Sequence, residues 1–135
     1  MTLDNKIVSK VIFFKDSKFL LLERSEQLDS NKTPWAWDLP GGHVDDEEHP
    51  VAAAIREVKE ETTLDVLELR LLGSDTNAGK ETFFYICDEW SGDIELSHEH
   101  KSFIWVEQNE LHVYWDSLGD MYSKMLLKSL WWIKT

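Results

Sequence analysis

The stretch that follows two adjacent glycines constrains the fold more than any other part of the sequence. Gly41 and Gly42 permit a tight turn that residues with a Cβ resist. Pro50 suits the first position of a helix, where its missing N–H costs nothing. Apolar residues then recur at helical spacing, namely Val51, Ala54, Ile55 and Val58. The pattern predicts a helix over 50–61 with one narrow apolar stripe.

Three glutamates lie on one face of this predicted helix. Glu57, Glu60 and Glu61 stand at i, i+3 and i+4, which places their carboxylates within about one turn. Taken alone, such a cluster is typical of a solvent-exposed acidic face, because each like-charged pair costs only a few tenths of a kcal/mol, roughly. The neighbouring residues must therefore show whether this face is a solvent-exposed surface or a binding site.

The first forty residues predict a hairpin and then a short strand. Residues 7–14 and 18–24 are β-branched and aliphatic runs separated by a polar break. A polar loop over 29–34 follows. Residues 35–40 then predict a short strand that enters the turn at the two glycines.

The second half of the chain mixes strands with a closing helix. Residues 64–72 and 81–87 predict strands joined by a loop at 75–80, and 102–106 predicts a third short strand. From Ser117 the apolar positions fit an amphipathic helix packed on the sheet: Leu118, Met121, Tyr122, Met125, Leu126 and Leu130. The fold class is therefore α/β or α+β with a mixed sheet.

Size and charge exclude several classes of protein. A chain of 135 residues fits one domain, over 1–135. With 14 basic and 26 acidic residues, the net charge of −12 repels long nucleic acid, so a small phosphate compound would need a divalent cation to reach this protein. Apolar runs are too short to cross a membrane. The single Cys87 and the lack of an export signal favour the cytoplasm.

The segment 42–64 resembles the signature box of the Nudix hydrolase family. That box reads Gly, five residues, Glu, seven residues, Arg-Glu, an apolar residue, any residue, Glu-Glu, any residue, Gly and an apolar residue. The matching positions are Gly42, Glu48, Arg56, Glu57, Val58, Glu60, Glu61 and Leu64. The flanking residues 39–42 and the spacing of Glu99 from Trp105 resemble further family features. The resemblance implies the Nudix fold, a mixed sheet between helices, with the box forming a loop, a helix and a loop.

The chemistry of diphosphate hydrolysis agrees with these glutamates. Phosphate oxygens must be neutralised and water must be presented in line, and Mg²⁺, with Mn²⁺ as an alternative, does both. Glu57 and Glu61, one turn apart, can reach the same ion, and Glu60 can bind a second ion or position the water. The resemblance adds the carbonyl oxygen of Gly41 as a further metal ligand.

Arg56 and Glu48 have a supporting role by the same resemblance. Arg56 is expected to point off the carboxylate face and to pair with Glu48, which braces the loop against the helix. An ordinary surface ion pair is the alternative.

Thr63 departs from the family pattern. The family usually has Gly there, where a positive φ is easy without a Cβ and a β-branched residue resists it. We therefore expect the local turn to differ or to be strained, with an altered loop geometry and slower turnover. Glu47, where the family often has Gly, is a lesser departure.

Glu99 is the main candidate outside the box. It lies in a polar loop and resembles a distant glutamate that serves many family members as metal ligand or general base, which makes Glu60, Glu61 and Glu99 the catalytic candidates. A solvated loop residue is the alternative. The histidines His43, His98 and His100 lack the spacing of a zinc site and are interpreted as loop residues.

Four residues are candidates for substrate binding. Arg24, at the end of the second strand, suits a phosphate or a base edge, but an exposed strand-end charge is equally compatible. Trp35 and Trp37 could stack a nucleobase or simply anchor the sheet. Asp120 could accept hydrogen bonds from a base, but helix capping or simple solvation is the alternative.

The leading hypothesis is a Mg²⁺-dependent hydrolase of a nucleoside triphosphate or another small nucleoside diphosphate-linked molecule. The alternatives are a noncatalytic nucleotide-binding module of the same fold and an acidic domain that holds Ca²⁺ or basic peptides, although a calcium loop with its central Gly is missing. The last proline is Pro50, so the downstream proline of many ADP-ribose-cleaving members is missing, as is the arginine and glycine pattern of coenzyme A cleavage. The sequence does not decide the oligomeric state, and a homodimer is one option.

Overall fold

The computed structural model of the chain describes residues 6–25 and 36–133. The strands within these ranges are β1 (Lys6–Lys15), β2 (Lys18–Arg24), β3 (Trp37–Asp38), β4 (Gly41–His43), β5 (Asp65–Asn77), β6 (Lys80–Ser91) and β7 (His100–Glu107). The helices are α1 (Pro50–Thr62), α2 (Trp115–Leu118) and α3 (Asp120–Ser129), with a 3₁₀ helix at Gln108–Tyr114. Trp35 and the predicted loop at 29–34 lie outside the described residues.

The described strands form one mixed sheet with the order β3-β2-β1-β6-β5. Strand β1 pairs with β6 in parallel, whereas its pairings with β2 and β4 are antiparallel. β7 pairs with β2, and β4 pairs with β1 outside the main order. The predicted hairpin of β1 and β2 and the predicted mixed sheet are both confirmed.

Each face of the sheet carries its own apolar core because strand side chains alternate in direction. Val11 and Phe13 pack with Ala54 and Val58 of α1 on one side. On the other side, Ile12 packs with residues of the C-terminal helices, including Leu118, Met125 and Leu126. The sheet therefore lies between helices, as expected for an α+β fold. We call these sides the α1 face and the α3 face.

The prediction of a loop at 75–80 is wrong. Strands β5 and β6 run to Asn77 and from Lys80, so only Ala78 and Gly79 connect them. Both residues have positive φ, 53° and 78°, as in the two-residue turns whose twist matches that of the flanking strands. The polar composition of this stretch therefore belongs to exposed strand ends instead of a loop.

Two further boundaries differ from the sequence prediction. The predicted helix from Ser117 is interrupted at Gly119, whose φ of 100° cannot continue an α-helix, and α3 begins at Asp120. The predicted strand over 35–40 contains the two-residue β3, and β4 forms a separate edge strand on β1. No helix in the described part of the chain is long and apolar enough to span a membrane.

Candidate metal and diphosphate site

Edge strand β4 brings the two glycines against the glutamate helix. Gly42 lies opposite Ser9 of β1, and a Cβ at Gly42 would lie 2.2 Å from Oε2 of Glu57. At Gly41 a Cβ would lie 2.1 Å from the carbonyl oxygen of Ser9, and its φ of +129° suits only glycine. The missing side chain at Gly42 therefore lets the Glu57 carboxylate approach β4, and the missing side chain at Gly41 lets β4 approach β1.

Glu61 is the buried carboxylate of this cluster. Its exposed fraction is 5%, and the Gly41 N–H donates a hydrogen bond of 2.9 Å to Oε1. Burial raises the pKa of Glu61 to about 8, although the positive charge of Lys10 and the Gly41 hydrogen bond act in the opposite direction. A cation close to this carboxylate would favour its ionised form.

Arg56 joins the box loop to the other glutamates. Its guanidinium donates two hydrogen bonds to Glu48, of 2.9 Å from Nε and 3.0 Å from Nη2. These bonds lower the pKa of Glu48 to about 2. Nη1 also donates to Oε1 of Glu57 at 2.8 Å and to Oε2 of Glu60 at 3.2 Å. The expectation that Arg56 points off the carboxylate face is therefore wrong, because its long side chain reaches both neighbours on the helix.

Lys10 of β1 lies beside the same glycines on the α3 face. It is 6% exposed, and its Nζ lies 3.2 Å from Asp38, 3.1 Å from the Leu39 carbonyl oxygen and 3.2 Å from the Gly41 carbonyl oxygen. The Nζ also lies 5.8 Å from the ring centroid of Tyr122 on α3. Burial acts to lower the pKa of Lys10, but the nearby Asp38, Tyr122 and Glu61 together outweigh it and the pKa is raised. Lys10 is therefore a fixed positive charge at the edge of the glutamate site.

A comparison with protein families identifies the architecture. The model of the NUDIX domain matches residues 5–125, nearly the whole chain. The chain belongs to the Nudix hydrolase family. The Nudix fold is also seen in a solved structure of the MutT protein from Methanosarcina mazei Go1, with a TM-score of 0.78 and 24% identity over 98% of this chain and 100% of that one.

Two curated Nudix relatives have different printed activities. The diphosphoinositol polyphosphate phosphohydrolase 2 of Mus musculus is 33% identical over 104 residues, which cover 67% of this chain and 58% of that protein. The asymmetrical bis(5'-nucleosyl)-tetraphosphatase of Caenorhabditis elegans is 35% identical over 103 residues, 67% of each chain. The match thus spans little more than half the length of the first relative.

Nudix hydrolases generally use a divalent metal, and the donor atoms of this site fit one. Glu57, Glu60 and Glu61 supply hard carboxylate oxygens, the ligand type that Mg²⁺ and Mn²⁺ prefer. Oε2 of Glu57 faces Gly42 and takes no part in the Arg56 bond. Within residues 6–25 and 36–133, however, no three acidic, His or Cys side chains already converge as a metal cage.

Glu99 lies in a segment that is attached to the end of the Nudix helix. The Glu95 N–H donates to the Thr62 carbonyl oxygen at 2.9 Å, and the Ser97 N–H donates to the Glu61 carbonyl oxygen at 3.0 Å. Glu99 itself is exposed, two residues after Ser97. These bonds bring its loop near the glutamates, and its role stays a prediction.

Thr63 keeps the backbone geometry that glycine has in the Nudix pattern. Its φ of 64° and ψ of 5° are left-handed, and its N–H caps the helix on the Lys59 carbonyl oxygen. The predicted strain is therefore present, whereas the predicted change of turn geometry is not. The Thr63 hydroxyl donates to the Asp93 carbonyl oxygen at 2.8 Å, which compensates in part. Glu47 likewise has a positive φ of 66°.

The predicted substrate-binding residues have protein partners in the structure. Arg24 lies 3.4 Å from Asp38, and the ring of Trp37 packs edge-on against Tyr114 with centroids 5.4 Å apart. Asp120 accepts a hydrogen bond of 2.7 Å from the indole of Trp115, with no side-chain cap bond at the start of α3. Trp35 lies outside the described residues. No member of this set is shown to meet a substrate.

The histidines do not all lie in loops, contrary to the sequence interpretation. His43 belongs to β4 and the buried His100 to β7, whereas His98 lies in a turn. Sequence reasoning also missed Lys10 and Asp38. A lysine within the apolar run of β1 is the signal that could have found this pair, because a lysine is almost never buried without a partner.

Proposed function

We propose that this chain hydrolyses a diphosphate linkage in a nucleoside triphosphate or another small nucleoside diphosphate-linked molecule, with Mg²⁺ as the metal and Mn²⁺ as a substitute. The observation that carries the proposal is the close approach of Glu57 to Gly42 and of Glu61 to Gly41 at the open edge of β4. The Glu57 carboxylate lies directly against Gly42, and the Gly41 N–H holds the Glu61 carboxylate, so oxygen ligands for a hard cation come together at this strand.

We assign the metal-binding role to Glu57, Glu60, Glu61 and the carbonyl oxygen of Gly41. A divalent cation bound there would neutralise phosphate oxygens and make water a better nucleophile. Lys10 already donates to the Gly41 carbonyl oxygen, which has a second lone pair for a metal.

The remaining residues of the proposal orient the reactants. Glu60 and Glu61 are candidates to hold and deprotonate the attacking water, and Glu99 is the alternative base. Glu48 and Arg56 hold the loop against the helix through two charge-assisted hydrogen bonds. Arg24, Trp37, Trp35 and Asp120 remain candidates for contact with the group attached to the diphosphate.

A phosphate-release screen tests the proposal. The protein is incubated with nucleoside triphosphates, dinucleoside polyphosphates, nucleotide sugars, ADP-ribose and diphosphoinositol polyphosphates, each with Mg²⁺, Mn²⁺ or EDTA. We expect turnover of at least one nucleotide class with Mg²⁺ and none with EDTA. Silence across the panel, or turnover that persists in EDTA, overturns the proposal.

A noncatalytic nucleotide-binding module is the second candidate. The exposed Glu99 and the Arg56 bonds to Glu57 and Glu60 favour it, because these groups are not poised on a common point. Saturable nucleotide binding without release of phosphate in the same screen would support this candidate over the enzyme.

A further inference from the structure

Four basic side chains share the α3 face of the sheet near the proposed site. Lys6 and Lys10 project from the same face of β1, because residues an even number apart do so. His43 lies opposite Val8 on β4, and Lys80 lies opposite Lys6 on β6. Directly paired residues of neighbouring strands point to the same face. The register thus gathers Lys6, His43 and Lys80, the group that we call the basic edge, beside Lys10.

Within the part of the chain that the structure describes, the two lysines of the basic edge differ from Lys10 in having no carboxylate partner. Lys10 is neutralised by Asp38, whereas neither Lys6 nor Lys80 forms an ion pair with any residue in the described ranges. Their strands are neighbours, about 4.8 Å apart. Like charges directly opposite each other destabilise a sheet. An anion bound between the two ammonium groups would relieve this repulsion.

His43 connects the basic edge to the glutamates. The charged groups of Lys80, Lys6 and Glu57 all lie near enough to act on its imidazole. His43 directly follows Gly42, the residue against which the Glu57 carboxylate lies. The imidazole is therefore close to both the acidic and the basic groups.

Open space adjoins Lys6 and His43 of the basic edge, and Lys80 lies outside its lining, opposite Lys6 on the next strand. A cavity of about 610 Å³ is lined by Lys6, His43, Ile7, Val44 and the acidic loop 45–48. In that loop, Glu48 and Asp45 lie 2.9 Å and 3.5 Å from Arg56, so two of its four carboxylates are already paired. Lys6 is three residues from Ser9, the partner of Gly42, which separates it from the glycines by about 10 Å along the strand. A long lysine side chain and one or two linked phosphates can span that distance.

We propose that Lys6, His43 and Lys80 bind a phosphate beyond the scissile diphosphate, so that the preferred substrates carry three or more linked phosphates. The inference rests on the proposed function, whose site it extends. An acidic protein repels a polyanion at long range, and the two ammonium groups of Lys6 and Lys80 provide a local attraction that the net charge of −12 does not. A diphosphate-linked sugar would leave both lysines without a partner.

Kinetics of a paired variant test the inference. In Lys6→Gln/Lys80→Gln we expect the KM for a nucleoside triphosphate to rise about tenfold, with kcat nearly unchanged and the KM for ADP-ribose changed less than about twofold. The matched control is Lys15→Gln/Lys124→Gln, which removes the same charge at exposed positions away from the basic edge. An equal rise of KM in both variants, or for both substrates, overturns the inference.

A binding measurement separates this inference from the proposed function. Inorganic tripolyphosphate in EDTA should raise the Tm of the wild-type protein and of the control variant, and the rise should shrink with added salt. The Lys6→Gln/Lys80→Gln variant should lose the rise while its Tm without ligand stays equal or increases, because a like-charge pair is gone. Binding without any hydrolysis would support the inference about the basic edge and overturn the proposed enzymatic function. Hydrolysis with an unchanged Tm response in the variant would support the enzymatic function and overturn the inference about the basic edge.

Discussion

The two faces of the sheet beside β4 carry opposite charge. On the α1 face the carboxylates of Glu57 and Glu61 approach the glycines, whereas on the α3 face Lys6, Lys10 and Lys80 project from adjacent strands. Because side chains alternate in direction along a strand, the two groups project from opposite faces although their backbone positions are close. Among the described residues, these acidic and basic side chains thus meet at one strand edge without forming ion pairs with each other.

The faces also differ in how their charges are held. On the acidic face, Arg56 is shared among the partly exposed Glu48, Glu57 and Glu60, whereas Glu61 is buried. Lys10 and Asp38 are buried and bonded to each other. We therefore expect changes on the buried basic side to affect stability and changes on the acidic side to affect activity.

The largest expected effect is on folding and comes from Lys10→Met. Removing the ammonium leaves the Asp38 carboxylate buried with a 3.4 Å contact to Arg24 and a hydrogen bond from the Leu39 N–H, and such a loss of a buried ion-pair partner costs about 3 kcal/mol or more. Urea unfolding measures the change. The double variant Lys10→Met/Asp38→Asn should recover at least half of the lost free energy of unfolding. A loss below about 1 kcal/mol in the single variant would contradict the expected difference between the two faces.

The next effect is on catalysis and comes from Glu61→Gln. The amide keeps the shape of the side chain but removes the charge, so we expect kcat/KM to fall about a hundredfold or more while the fold is retained. Activity with Mg²⁺ is the measurement. Glu68→Gln, an exposed position on β5, is the control. Wild-type rates in Glu61→Gln would refute the ligand assignment.

Gly42→Ala separates activity from stability on the acidic face. The new Cβ would meet the flexible end of Glu57, so the carboxylate must move and activity should fall about tenfold with little loss of stability. Gly41→Ala is the contrast, because there the Cβ meets backbone atoms of Ser9 and Lys10 at a φ of +129°, and we expect a loss of about 3 kcal/mol or more. Thermal unfolding and activity assays of both variants check this, and equal behaviour of the two would contradict it.

The smallest effect is at Thr63, where the Nudix helix ends. Thr63→Gly and Thr63→Val both lose the hydrogen bond to Asp93, but only glycine relieves the left-handed backbone. The glycine variant should therefore be more stable than the valine variant by about 1 kcal/mol. Equal stability in chemical denaturation would mean that the strain at Thr63 is negligible.

Much of the candidate site could be predicted because it is local in the sequence. Helical periodicity places Glu57, Glu60 and Glu61 on one face of α1, and the helix bounds agree with the prediction within one residue. The direction of the Arg56 side chain was predicted wrongly, because a long side chain can reach several partners. The break at Gly119 was missed because apolar periodicity continues across it.

The sequence alone was enough to predict most strands and helices of this protein, its acidic helix face and its family, since each depends on residues a few positions apart. The contact of Gly41 with the Glu61 carboxylate, the contact of Lys10 with Asp38 and the pairing of Lys6 with Lys80 became visible only in the folded chain. These contacts join residues 20 or more positions apart. They depend on the register between strands that are distant in the sequence. That register is set by packing against both apolar cores, and no local sequence pattern encodes it.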